Sequence, residues 1–191
     1  MTYICLSQPI SYIKIRLVEF SLIKSIEILE RTPHVLIQLT DNLSEDWTMN
    51  NEGGETWSVF DVVGHLIHGE KTDWITRMEI ILSEGGNKEF KPFDRFAQLE
   101  ESKGKSLELL LKEFLAAREL SLAKLISFKL TEKDFNKTGI HPKFGAVTLS
   151  QLIAAWTVHD LDHISQISRI MSKQYKDPSG PWIEYMKILR Q

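Results

Sequence analysis

The chain has 191 residues, a formal net charge of −3, 42% hydrophobic residues and a single cysteine. One cysteine excludes an internal disulfide, a Cys-rich zinc module and a CxxC redox motif, and fits a reducing cytoplasm. With 23 basic and 26 acidic residues and no basic cluster, the footprint of a nucleic-acid binder is missing, and no apolar run is long enough for a membrane span. A chain of this length is most simply one domain and buries roughly 70% of its unfolded surface, so a metal found in it is to be suspected of chemistry rather than of holding the fold together.

Residues 1–18 stand apart. Ile13, Ile15 and Leu17 alternate with Lys14 and Arg16, which suits an extended arm or a non-native extension ahead of a domain over 19–191. Ser7, Gln8 and Pro9 break the apolar stretch, and the basic residues follow it, so no signal peptide is expected. From Phe20 the spacing becomes helical. Thr32-Pro33 reads as a cap followed by proline at the first position of a new helix. Residues 41–61 carry six acids and no Lys or Arg and read as a solvated connection. Ser58 and Asp61 form a capping box, with Trp57 and Val62 as its staple, for a helix running to about Ser83, where Gly85-Gly86 stops it. A further helix is expected from about Ser102 to Phe128, and Thr131 and Asp134 suggest a capped turn. Gly139, Pro142 and Gly145 mark a loop. Thr148 and Gln151 open the last long helix, and Trp182 to Leu189 a short terminal one. Four substantial helices without a convincing hairpin indicate an all-α four-helix bundle.

The histidines carry the chemistry. Leu152, Trp156, His159, His163, Gln166 and Ile170 share one stripe of the last helix, so two imidazoles one turn apart face the core seam and can reach one ion. A third ligand must come from another helix; His65, on the side of Val62 and Leu66, is preferred, with His68 in reserve. Three neutral imidazoles leave a divalent ion its full charge and an open position, the arrangement of a catalytic site, where bound water or a thiolate becomes the nucleophile. Zn or Ni are expected, with Fe, Mn or Cu compatible. There is no HExxH and no ExxH, which removes the zincin and ferritin-like readings. Asp160 and Asp162 fall off the seam and are expected on a solvated face. Glu70 and Asp73 are expected at the surface or as hydrogen-bond partners of the ligands, and His141 in a loop-to-backbone hydrogen bond. Trp57, Trp74, Trp156 and Trp182 are read as packing residues rather than a cofactor box.

Trp57-Ser58 before Gly64-His65-Leu66, then His141-Pro142-x-x-Gly145 before Thr148-Leu149, then His159-x-x-x-His163 with Gln166-Ile167, resemble the DinB-like family of damage-inducible and YfiT-type proteins over residues 20–191. The resemblance implies a bundle of up-down-down-up topology, often a homodimer, with a divalent ion on His65, His159 and His163. It also implies a small-molecule substrate, handled either by a metal-dependent hydrolase or by an S-transferase using a low-molecular-weight thiol. A non-catalytic metal- or partner-binding bundle in a stress response is the alternative. Any thiol must come from outside, since Cys5 lies in the arm.

Overall fold

The computed structural model describes residues 19–190; the arm expected over 1–18, with Cys5, lies outside the described residues. Helices α1 (Leu22–Thr40), α3 (Val59–Thr72) continued by α4 (Trp74–Leu82), α6 (Leu107–Ser127) and α7 (Leu149–Lys173) are the four rods of a bundle, with short α2 (Glu45–Met49) and α5 (Ala97–Glu101) in the connections. The direction of each rod follows from two core clusters, one at each end. At the first end, the start of α1 (Leu29, with Phe20 and Leu22 against it) meets the start of α7 (Leu149, Leu152, Ile153) and the ends of the other two rods, Met78 with Ile81 and Leu122 with Leu125. At the second end, Leu36 of α1 and Ile167 and Ile170 of α7 meet the starts of α3 and α6, Val59 with Val62 and Leu110 with Leu111. Thus α1 and α7 run one way while α3–α4 and α6 run the other, which is up-down-down-up. The two parallel neighbours α4 and α6 require a long return connection, residues 83–106. Near its start lie Gly85 and Gly86, both in the left-handed region (φ +74° and +79°) that favours glycine.

Both capping boxes form as the sequence predicts. Ser58 Oγ accepts from Asp61 N–H and the Asp61 carboxylate accepts from Ser58 N–H, and Thr148 and Gln151 do the same for α7. Thr131 N–H and Oγ1 both donate to Asp134.

Five local readings change. No new helix begins at Pro33, which lies inside α1. Thr32 caps nothing and donates back to the Ile28 carbonyl at 3.1 Å. The single helix expected from Ser58 breaks at Asp73 (φ −115°, ψ −71°), although its hydrogen bonding carries on into α4. The helix expected from Ser102 begins only at Leu107, capped by Ser106. The Gly-Pro loop before α7 holds a hairpin, β1 (Thr138–His141) antiparallel to β2 (Gly145–Thr148), and the terminal helix is two 3-10 turns, Gly180–Tyr185 and Lys187–Arg190. The hairpin escapes sequence reading because each strand is four residues and β1 gains its second edge partner from residues 88–90, where Phe90 N–H donates to Ile140 O and Ile140 N–H to Lys88 O. As expected, His141 bonds backbone, its Nδ1 accepting from Lys143 and Phe144 N–H at 3.1 and 3.2 Å. Among the described residues no helix is long and apolar enough to cross a membrane.

Candidate metal centre

Midway along the bundle, α7 presents His159 and His163 to α3, whose side facing them carries His65. The one-turn spacing on α7 sets the first pair, with Nε2 atoms 3.0 Å apart. The packing of α3 on α7 supplies the third, His65 Nε2 lying 3.2 Å from His159 Nε2. These three are the group of His, Cys, Asp and Glu side chains whose atoms converge closely enough to hold an ion among the described residues.

Hydrogen bonding cannot satisfy this arrangement. A proton on His159 Nε2 can point at only one of its two neighbours, so the three facing nitrogens cannot all satisfy one another. A divalent ion satisfies all three facing lone pairs at once. Nitrogens about 2.0–2.1 Å from a tetrahedral ion stand about 3.3 Å from each other, close to the spacings found here. The donor set therefore fits a metal.

The surroundings lower the pKa of all three rings. Trp57 lies 4.8 Å from the His65 ring, with Phe93 edge-on to it at 5.5 Å, and Trp74 lies edge-on to His159 at 5.1 Å. Burial among these rings pushes His65 down to about 3, with the neighbouring His163 ring and the Arg95 charge adding to the effect. It pushes His159 down to about 2, with His163 and His65 adding to the effect. Burial also lowers His163, against the hydrogen bond from its Nδ1 to Gln166 Oε1 at 2.7 Å. That bond fixes the tautomer with the proton on Nδ1 and leaves Nε2 free as a ligand. His68 is not part of the cluster, because its Nδ1 is engaged by both oxygens of Glu101 on α5 at 3.0 and 3.1 Å.

Behind the histidines lies a charge cluster that sequence reasoning misplaced. Asp160 is fully buried rather than solvated, and Glu70 is buried too. Arg118 of α6 donates to Asp160 through Nη1 at 2.6 Å and Nη2 at 3.1 Å, and to Glu70 Oε1 at 2.9 Å. Trp156 Nε1–H donates to the same Glu70 oxygen at 3.0 Å. Burial works against the Arg118 charge, and the two carboxylates more than offset it, holding its pKa above the ordinary value. Asp73 is likewise buried, paired with Arg77 at 2.7 Å, and burial raises it to about 6. Asp162 stays exposed, as expected.

The cluster opens into a cavity of about 730 Å³ lined by Trp57, Phe93, Arg95, Phe96 and residues of α7. One wall is the connection before α3, pinned to α7 where Arg169 donates to both oxygens of Glu52 at 2.8 and 2.9 Å and Lys173 adds a contact at 2.9 Å. Arg169 is the main reason that Glu52 is held down to about 2, well below the usual carboxylate range. Sequence reading missed Arg95, Glu52 and Arg169; Gln166, three residues after His163, was visible on the seam, but its role was not. Trp74 and Trp156 stack in the core as expected, 5.8 Å apart, whereas Trp57 lines the cavity and Trp182 is largely exposed.

Fold and site together define a four-helix bundle with a three-histidine cluster at its centre. The chain belongs to the DinB superfamily, whose family model matches residues 28–167. It is similar to a solved structure of YfiT from Bacillus subtilis, described as a probable metal-dependent hydrolase with an unusual four-helix bundle topology. The TM-score is 0.67 and the identity 20%, and the match covers 88% of this chain and 93% of that one. No curated protein matches the chain at a significant level.

Proposed function

We propose that this protein is a divalent-metal-dependent enzyme, a hydrolase or a thiol-dependent S-transferase, with His65, His159 and His163 as the ligands and Zn or Ni as the first candidates for the ion. The observation that carries the reading is the convergence of three Nε2 atoms at 3.0 and 3.2 Å in a pocket where burial lowers the pKa of all three rings. An ion on three neutral ligands supplies Lewis acidity, able to activate water or a thiol and to polarise a carbonyl.

The chain's own residues do the rest. Gln166 holds the His163 ring in one tautomer. Trp57, Phe93 and Trp74 pack against the imidazoles. The adjoining cavity accepts a small molecule, and the sulfur for an S-transfer comes from a low-molecular-weight thiol, since none of the described residues lining the cavity is a cysteine. The hydrolase reading is also supported by the printed description of the YfiT structure.

Elemental analysis of protein purified without a His tag tests the first step. About one divalent ion per chain is expected, falling at least tenfold in His163→Ala. Fewer than about 0.2 ions per chain after exposure to Zn and to Ni, unchanged by that substitution, overturns the reading. Ester and amide hydrolysis and thiol conjugation are then screened with and without metal. Turnover that requires the ion separates an enzyme from a bundle that only binds metal.

A further inference from the structure

The centre sits at the floor of a cavity whose charged groups are unequally engaged. Arg169 and Lys173 are both committed to Glu52. Arg95, on the return connection before α5, is exposed and makes no ion pair or hydrogen bond through its side chain among the described residues. Its guanidinium is nevertheless held in place, 5.3 Å from the centre of the Trp57 ring and 5.5 Å from that of Phe96. The adjacent carboxylate of Asp94 is used within its own loop, accepting Phe96 N–H at 3.0 Å. Two rings thus restrain a cation whose N–H donors remain free, an arrangement that lowers the entropy lost when a ligand is gripped.

We propose that Arg95 is the specificity-determining residue of this cavity and that the substrate carries a carboxylate or phosphate group, held by the guanidinium fork while its reacting end reaches the histidine centre. Arg95 lines the same cavity as all three histidines. Glu55 and Asp162 also line the cavity and lie beyond ion-pair distance of Arg95. They repel an anion from their own positions and so leave Arg95 as its place. A planar fork suits an oxyanion bidentately in a way that a lysine ammonium does not.

The inference rests on the metal-enzyme reading for its statement about the reacting end, and the test separates the two. The full chain, metal-free and zinc-loaded, is titrated calorimetrically with phenylacetate, phenyl phosphate and the neutral phenylacetamide. In the metal-free protein an anion cannot be held by the ion, so the preference there reports on Arg95. At least one anion is expected to bind about tenfold or more tighter than the amide, and the tighter of the two identifies the group. Arg95→Met abolishes the preference and Arg95→Lys keeps a fraction of it; both substitutions are at an exposed position, and zinc stoichiometry is expected to stay unchanged. Equal affinities for all three probes in the native chain, or a preference that survives in Arg95→Met, overturns the proposal. Failure to load zinc with the Arg95-dependent preference intact overturns only the metal reading. Full zinc loading with a preference indifferent to Arg95→Met overturns only this one.

Discussion

Arg118 Nη1 donates at 2.6 Å to the carbonyl of Leu29, the oxygen that Pro33 leaves without its helical donor four residues on. The proline that reads as a helix start is thus accommodated in mid-helix by a side chain from another rod. The same guanidinium holds Glu70 of α3 and Asp160 of α7, so one cation ties all four rods together one residue away from His159.

Arg118→Met removes that cation while filling much of its volume. Two buried carboxylates and one carbonyl then lack their partner, and breaking a buried pair from one side costs about 3–5 kcal/mol. Urea denaturation measures the loss. A loss under about 1 kcal/mol means that the cluster does not anchor the bundle.

Gly64 lies one residue before His65 and lets α5 approach α3 closely. A Cβ there would stand 2.5 Å from Ser102 Oγ and 2.6 Å from Gln98 Oε1, both on side chains too buried to swing aside freely. Gly64→Ala is therefore expected to destabilise the protein by about 1–3 kcal/mol despite alanine's better helix propensity. It also pushes outward the connection that carries Phe93 and Arg95. Denaturation together with the affinity of phenylacetate for the cavity checks both effects; a stability gain contradicts the close-packing account.

The Glu52 contact to Arg169 makes part of the stability depend on acid. Glu52 titrates near about 2 in the folded chain, against an ordinary value of 4.5. Its stabilising contribution is therefore complete above about pH 4.5 and lost as the pH falls towards 2. Glu52→Gln is expected to cost about 1 kcal/mol at neutral pH, the figure being held down by the partial exposure of Arg169. The difference in Tm between the native chain and Glu52→Gln should shrink steadily from pH 5 to about pH 2. A difference independent of pH rules out the ion pair as its source.

Local covalent geometry determined much of this protein from sequence alone. A period of 3.6 residues places His159 and His163 on one stripe wherever α7 packs, and a capping box closes within four residues, so Ser58–Asp61 and Thr148–Gln151 were legible without any neighbour. The tertiary structure decided which side chains outside the helix stripes are buried. Asp160 and Glu70 look like surface acids because their partner lies 42 and 48 residues away in the chain, and no spacing rule spans such a distance. Pro33 looks like a helix start because its compensating donor comes from another rod. Arg95 acquired its place at the histidine centre only when the return connection laid it beside Trp57. Helix periodicity is set by neighbouring residues, whereas the pairing of charges and the walls of a cavity are set by packing between segments remote in sequence.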